Sequence, residues 1–150
     1  MQEIFGDFWQ FNSDVYCVTT NLVLNKKGEA ILGKGIAKQF RDKFPGIAQD
    51  LGYIIKNNKA KVAFIPQINW KWDKNVMAFP TKYDWKNFSD IKLIKESAQS
   101  LNKYSMDFPN YKFLITRPGC GNGGLNWEKQ VKLAIKDILV SDNIFIIERK

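Results

Sequence analysis

The chain has 150 residues, 45% of them hydrophobic, carries a net charge of +8 and contains no histidine. That size and apolar content predict one globular domain over residues 1–150 with a core that needs no staples. The missing histidine excludes Ser-His-Asp and Cys-His catalysis, histidine metal sites and a histidine general base, leaving chemistry to Lys, Asp, Glu, Asn, Tyr, a bound water or the substrate.

In chain order, Gln2 to Phe5 and Asp14 to Thr20 read as strands, with Gly6-Asp7 and Asn12-Ser13 as turns around Phe8 to Phe11. Ile36, Phe40 and Phe44 recur at helical spacing, and Pro45-Gly46 stops that helix. A second helix is expected over Ile47 to Lys56. Val62 to Ile68 and Val76 to Pro80 read as strands joined by a hairpin at Trp70 to Asn75. Ile91, Ile94, Ala98 and Leu101 mark an amphipathic helix over Asp90 to Tyr104, with Ser89 as its N-cap. A strand at Tyr111 to Thr116, a helix from Trp127 to Val140 and a buried strand at Ile144 to Ile147 complete the pattern. Such alternation predicts a three-layer α/β/α domain around a mixed sheet of about six strands, with its ligand beyond the strand C-termini.

Two glycine loops stand at strand-to-helix junctions. Gly119-Cys120-Gly121-Asn122-Gly123-Gly124 holds four glycines in six residues, and Gly33-Lys34-Gly35 opens the helix at Ile36. Bare backbone lets successive N–H groups turn toward a phosphate at a helix N-terminus, so the pair predicts one ligand carrying two phosphates, or a phosphate and a sugar. Gly119, Gly121 and Gly124 also satisfy a dinucleotide fingerprint. A Rossmann fingerprint opens its domain, however, and this one lies near Lys150, so NAD chemistry is the minor reading.

Cys17 and Cys120 show no metal-ligand spacing and no disulfide framework, which predicts a reducing compartment and no metal. Cys120 reads as a small loop residue rather than a nucleophile, since no histidine can activate it. No stretch approaches the roughly 18 apolar residues of a membrane span, and Met1 to Asp7 do not form a signal peptide; a cytoplasmic protein without membrane contact is expected. The positive charge suits an anionic partner, nucleic acid included, or simply a solvated surface. Trp70-Lys71-Trp72 and Lys82-Tyr83-Asp84-Trp85-Lys86 interleave aromatic and basic residues, either as stacking platforms for bases or as loops packed on the sheet.

Gly6-Asp7, Val18-Thr19-Thr20-Asn21, Leu32-Gly33-Lys34-Gly35-Ile36-Ala37, Phe79-Pro80-Thr81-Lys82 and Gly119 to Trp127, in this order, resemble the macrodomains, which bind ADP-ribose and often process its derivatives. The likeness covers nearly the whole chain. It points to the branch containing terminal ADP-ribose glycohydrolases, antitoxins that remove ADP-ribose from DNA, ADP-ribose-1''-phosphate phosphatases and small phage-encoded relatives.

The resemblance implies that Asp7 accepts from the adenine amino group, with the Phe8 backbone completing that contact, and that Asn21 orients the distal ribose. Gly33, Lys34, Gly35 and Ile36 would form one phosphate-side loop. Gly119, Cys120, Gly121, Asn122, Gly123, Gly124 and Leu125 would form the other, with Thr81 beside them. Lys82 would act at the anomeric carbon, by attack or by stabilising charge. The more usual Asn-Ala-Ala-Asn reads Val18-Thr19-Thr20-Asn21 here, so Asn25 rivals Asn21. The aspartate of the terminal glycohydrolase aligns with Gly123, whereas the antitoxin branch, whose glycine loop this one resembles, does not need that acid. The resemblance thus implies an ADP-ribosyl hydrolase, with phosphatase action on ADP-ribose-1''-phosphate and plain ADP-ribose binding as the alternatives; no cofactor is expected, and single-domain size without a long exposed heptad pattern predicts a monomer.

Overall fold

The computed structural model describes residues 1–57, 64 and 69–150. Five strands, β1 (Gln2–Gly6), β2 (Val15–Asn21), β3 (Asn75–Lys82), β4 (Phe113–Thr116) and β5 (Ile144–Arg149), form one sheet in the order β1-β5-β4-β2-β3. Every pairing between them is parallel. This corrects the expected mixed sheet of six. The antiparallel partner expected for β3, Val62 to Ile68, falls outside the described residues except for Phe64, which meets Met77 in an isolated antiparallel bridge. Parallel strands need long crossovers, and the helices supply them: α1 (Gly35–Lys43) and α2 (Ile47–Asn57) between β2 and β3, α3 (Ile91–Asp107) between β3 and β4, and α4 (Lys132–Ile135) before β5.

Side-chain alternation sorts the core into two halves. Tyr16 and Val18 of β2 point into a cluster with Ile36, Phe40, Ile47 and Leu51 of α1 and α2. Val15 and Cys17 point the other way, onto Ile94 and Leu101 of α3 and Ile135 of α4. With both faces covered, the strands read as near-continuous apolar runs, as parallel strands do. Of the two readings for Trp70 and Trp72, base platform or loop packed on the sheet, the structure shows the packed one. Trp70 is buried against Phe44, and Trp72 lies 4.7 Å from the Tyr16 ring and 4.8 Å from Phe44.

Two helix starts differ from expectation. Asp90, not Ser89, caps α3: its carboxylate accepts from the Leu93 N–H at 2.9 Å, while its own N–H is tied to the Thr81 carbonyl. The segment from Trp127 opens as a π turn (Trp127–Val131), with the Asn126 side chain accepting from the Lys129 N–H, and its helix stops at Ile135 rather than Val140.

Gly52, inside α2, tests how tightly the loop before α1 is held. Alanine is the better helix former by about 1 kcal/mol, but a Cβ here would press on the Gly28 carbonyl oxygen inside van der Waals contact. Gly52→Ala is therefore expected to lower the urea midpoint, at a cost of about 1–3 kcal/mol. An unchanged or raised midpoint contradicts this packing.

Candidate functional site

Because the strands are parallel, their C-terminal ends open on one edge of the sheet. From β2 the chain crosses to β3 on one side, and from β4 it crosses to β5 on the other. The gap between β2 and β4 is thus the switch point at which an open α/β sheet binds ligands. The ladder there stops early, at Tyr16↔Leu114, although β2 runs on to Asn21. A cleft of about 580 Å³ opens beyond it.

The floor comes from two adjacent strand ends. A register shift between Thr20 and Asn21 sets Asn21 opposite Lys82. Asn21 is buried, and its amide is partly engaged: Nδ2 donates to the Ile31 carbonyl at 3.2 Å and Oδ1 accepts from the Val23 N–H at 3.2 Å. One N–H and one lone pair remain for a ligand hydroxyl. The rival Asn25 lies outside the cleft; its carboxamide closes its own turn through the N–H groups of Lys27 and Glu29. Half-buried Lys82 reaches across the cleft, with Nζ 3.5 Å from the Asn122 carbonyl oxygen. Thr81 is buried on the Thr20 carbonyl.

One wall is the start of α1. Lys34 occupies the N-cap position without a side-chain cap, which leaves the partial positive charge of the helix end to the cleft. The opposite wall is the second glycine loop, and the two approach closely: a methyl at Gly35 would sit 3.6 Å from Asn122 Nδ2. Indole Nε1 of Trp127 donates to Glu3 at 2.8 Å and anchors the far end of that loop to β1.

Of the residues expected at the site, the cleft gathers Asn21, Gly33, Lys34, Thr81, Lys82, Gly119, Cys120, Asn122 and Gly123. Gly35, Ile36, Gly121, Gly124 and Leu125 belong to the same loops without lining it. Asp7 and Phe8 stand apart. Asp7 is exposed after β1 on the same sheet edge and accepts from the Trp9 N–H at 2.8 Å, while the Phe8 ring is buried against Trp9, Tyr16 and Phe40.

Sequence reasoning did not assign Thr19, Thr20, Ile31, Ala37, Trp85, Lys86, Asn87, Phe88 and Ser89 to the cleft, yet all line it. The segment 85–89 is docked on the glycine loop. Ser89 N–H donates to the Gly123 carbonyl at 2.9 Å, a Cβ on Gly123 would collide with the Ser89 side chain, and one on Gly124 would collide with the Phe88 ring. These two glycines are therefore required by a neighbouring loop, whatever they do for a ligand. Ser89 also fills the space that an acid at position 123 needs. Among the described residues the lining contains three lysines and no carboxylate.

Burial raises the pKa of the Cys120 thiol, against an opposing pull from Arg117, and Cys120 donates to the Pro118 carbonyl. It is not an activated nucleophile. Among the described residues no group of His, Cys, Asp and Glu is placed to hold a metal ion, and no helix is long and apolar enough to cross a membrane.

A parallel sheet between helix layers, with glycine loops facing across the β2/β4 switch point, defines the class: the chain has the macrodomain fold. The macrodomain of Thermus aquaticus DarG matches it with a TM-score of 0.77 at 21% identity, covering 99% of this chain and 97% of that one. Thermosipho africanus DarTG in complex with ADP-ribose matches with a TM-score of 0.77 at 22% identity, covering 99% of this chain and 42% of that one. Among curated proteins, the DNA ADP-ribosyl glycohydrolase of Mycobacterium tuberculosis is 25% identical over 126 residues, covering 82% of this chain. The chain spans 34% of that relative's length. No protein-family model matches the chain.

The thiolate is the reactive form of cysteine, so a raised pKa means less of it at neutral pH. Cys17 is fully buried, which leaves Cys120 to report. Iodoacetamide at pH 7.5 is expected to alkylate Cys120 several-fold more slowly than a cysteine peptide, roughly tenfold per unit of pKa, and to catch up as pH rises. Labelling as fast as the peptide contradicts the burial assigned to this loop.

Proposed function

We propose that this chain binds ADP-ribose along the C-terminal edge of the sheet and hydrolyses the bond between its distal ribose and a nucleic acid. The observation that carries the reading is the placement of Asn21 and Lys82 side by side on the floor of a cleft walled by two glycine loops. The α1 N-terminus and the bare backbone of the second loop suit the pyrophosphate. Asn21 has one donor and one acceptor left for the ribose, and Lys82 stands where the anomeric carbon would lie. Asp7 and the Phe8 backbone, on the same edge beyond β1, would hold the adenine. The curated relatives named as DNA ADP-ribosyl glycohydrolases, and the ADP-ribose in the Thermosipho africanus structure, support both the ligand and the bond. The net charge of +8 favours a nucleic acid as the leaving group.

The lining restricts the mechanism. Glycoside hydrolysis ordinarily uses a pair of carboxylates flanking the scissile bond, and among the described residues no carboxylate lines this cleft. Lys82 is then the group that meets the developing charge, either as an ammonium beside the leaving group or as an amine at the anomeric carbon. The same missing acid favours a second reading, a module that binds ADP-ribose without turnover. We further propose that the chain acts as a monomeric domain in a reducing cytoplasm, where both of its cysteines stay free.

Lys82→Ala is expected to lower ADP-ribose release from an ADP-ribosylated single-stranded oligonucleotide by about 10²–10⁴-fold, followed by chromatography, while ADP-ribose still binds. Equal release by the variant removes Lys82 from the chemistry, and binding without release by the wild type leaves the non-catalytic reading. Turnover of the DNA-linked substrate should also fall steeply as salt rises, since phosphate contacts release counterions. A flat salt response contradicts the nucleic-acid substrate.

A further inference from the structure

Of the five tryptophans, four pack wholly or partly into the protein and one, Trp85, is exposed. It stands at the mouth of the cleft with Phe88 beside it, the two being 51% and 78% exposed. Exposed apolar residues scattered singly are normal, whereas a patch of them rimmed by polar residues marks an interaction site or a ligand groove. The backbone that carries them is held in place. Asp84 closes their turn by accepting the Asn87 N–H on its carbonyl and the Lys86 N–H on its carboxylate, each at 3.1 Å. The Phe88 ring rests on Gly124, and the next residue is tied to Gly123. Lys86 Nζ lies 5.6 Å from the centre of the Trp85 ring. Lys34, Lys82 and Lys86 surround the mouth, and among the described residues none of them forms an ion pair.

We propose that Trp85 and Phe88 form a stacking platform for the bases of a single-stranded nucleic acid whose backbone runs past Lys82 and Lys86. The proposal rests on the reading above that the leaving group is a nucleic acid, and it assigns the part of the chain that selects the strand. Exposed aromatic faces interleaved with unpaired cations are what single-strand binding uses: each base offers a π face, each phosphate a charge, and the contacts tolerate any sequence. A duplex keeps its bases stacked on one another and presents only phosphates. An acidic protein partner would satisfy the lysines but leaves the exposed ring faces unexplained. The platform therefore favours single strands over duplexes and adds affinity without reading sequence.

The test uses an unmodified, fluorescently labelled eight-nucleotide deoxythymidine strand and the matching duplex, with binding followed by anisotropy across a salt series. The wild type is expected to prefer the single strand. Trp85→Ala and Phe88→Ala should each weaken it by roughly tenfold, the loss of one stacked base, with the salt slope unchanged. Lys86→Ala should instead reduce that slope by about one phosphate contact. Thermal melting of each variant separates these losses from unfolding. Equal affinity for strand and duplex, or variants that bind the strand like wild type, overturns the platform, as does a Trp85→Ala loss seen only with an ADP-ribosylated peptide. Because the probe carries no ADP-ribose, the two readings fail separately. Strand binding that depends on Trp85 without turnover of any ADP-ribosylated oligonucleotide upholds the platform against the hydrolase; turnover that is indifferent to Trp85 and Phe88 does the reverse.

Discussion

Strand β2 is paired in parallel on both sides, with β3 along its full length and with β4 only through Val15 and Tyr16. Everything functional follows from that asymmetry. The complete ladder to β3 fixes Asn21 opposite Lys82, and the short ladder to β4 lets the two strands part so that a cleft forms between their ends. The crossovers leaving β2 and β4 in opposite directions then bring a glycine loop to each side of the gap. The two core clusters hold this arrangement from both faces, since consecutive residues of β2 are buried in opposite halves. A slip of one residue in β2 would exchange its two faces and carry Asn21 out of register.

Much of this was legible in the sequence because local chemistry agreed with global structure. The strands and α1 to α3 lie within a few residues of where periodicity puts them, and the glycine loops fall at strand-to-helix junctions as their composition requires. The direction of pairing was not legible. An apolar run carries no mark of whether its neighbour is parallel or antiparallel, so the parallel pairing of β2 with both β3 and β4 had no signal of its own. The N-cap of α3 lies one residue from its expected place because Ser89 and Asp90 are both good caps; backbone ties from Ser89 to Gly123 and from Asp90 to Thr81 accompany the choice of Asp90.

At the site, sequence reasoning found the residues that sit in motifs and missed those that arrive by packing. Asn21, Lys82 and the glycine loop carry recognisable patterns. Phe88 and Ser89 carry none, yet they explain why positions 123 and 124 are glycine. A glycine-rich loop is readily read as a phosphate cradle; here a Cβ on Gly119, Gly123 or Gly124 would press on a protein neighbour, and of the four glycines only Gly121 meets nothing among the described residues. Trp70 and Trp85 illustrate the same limit. Both sit among lysines in sequence, but one closes the core and the other faces the cleft mouth, a difference that burial decides and composition does not.

The central claim is that the cleft, the two loops and the Asp7 corner together accommodate ADP-ribose. Calorimetric titration of ADP-ribose, with AMP and NAD as controls, tests it most directly. AMP can occupy only the adenine end, whereas NAD carries a bulky base on the distal ribose beside Lys82. The account predicts that ADP-ribose binds at least about tenfold more tightly than either, a difference of about 1.4 kcal/mol. Equal binding of AMP, tighter binding of NAD, or no binding of ADP-ribose would contradict it.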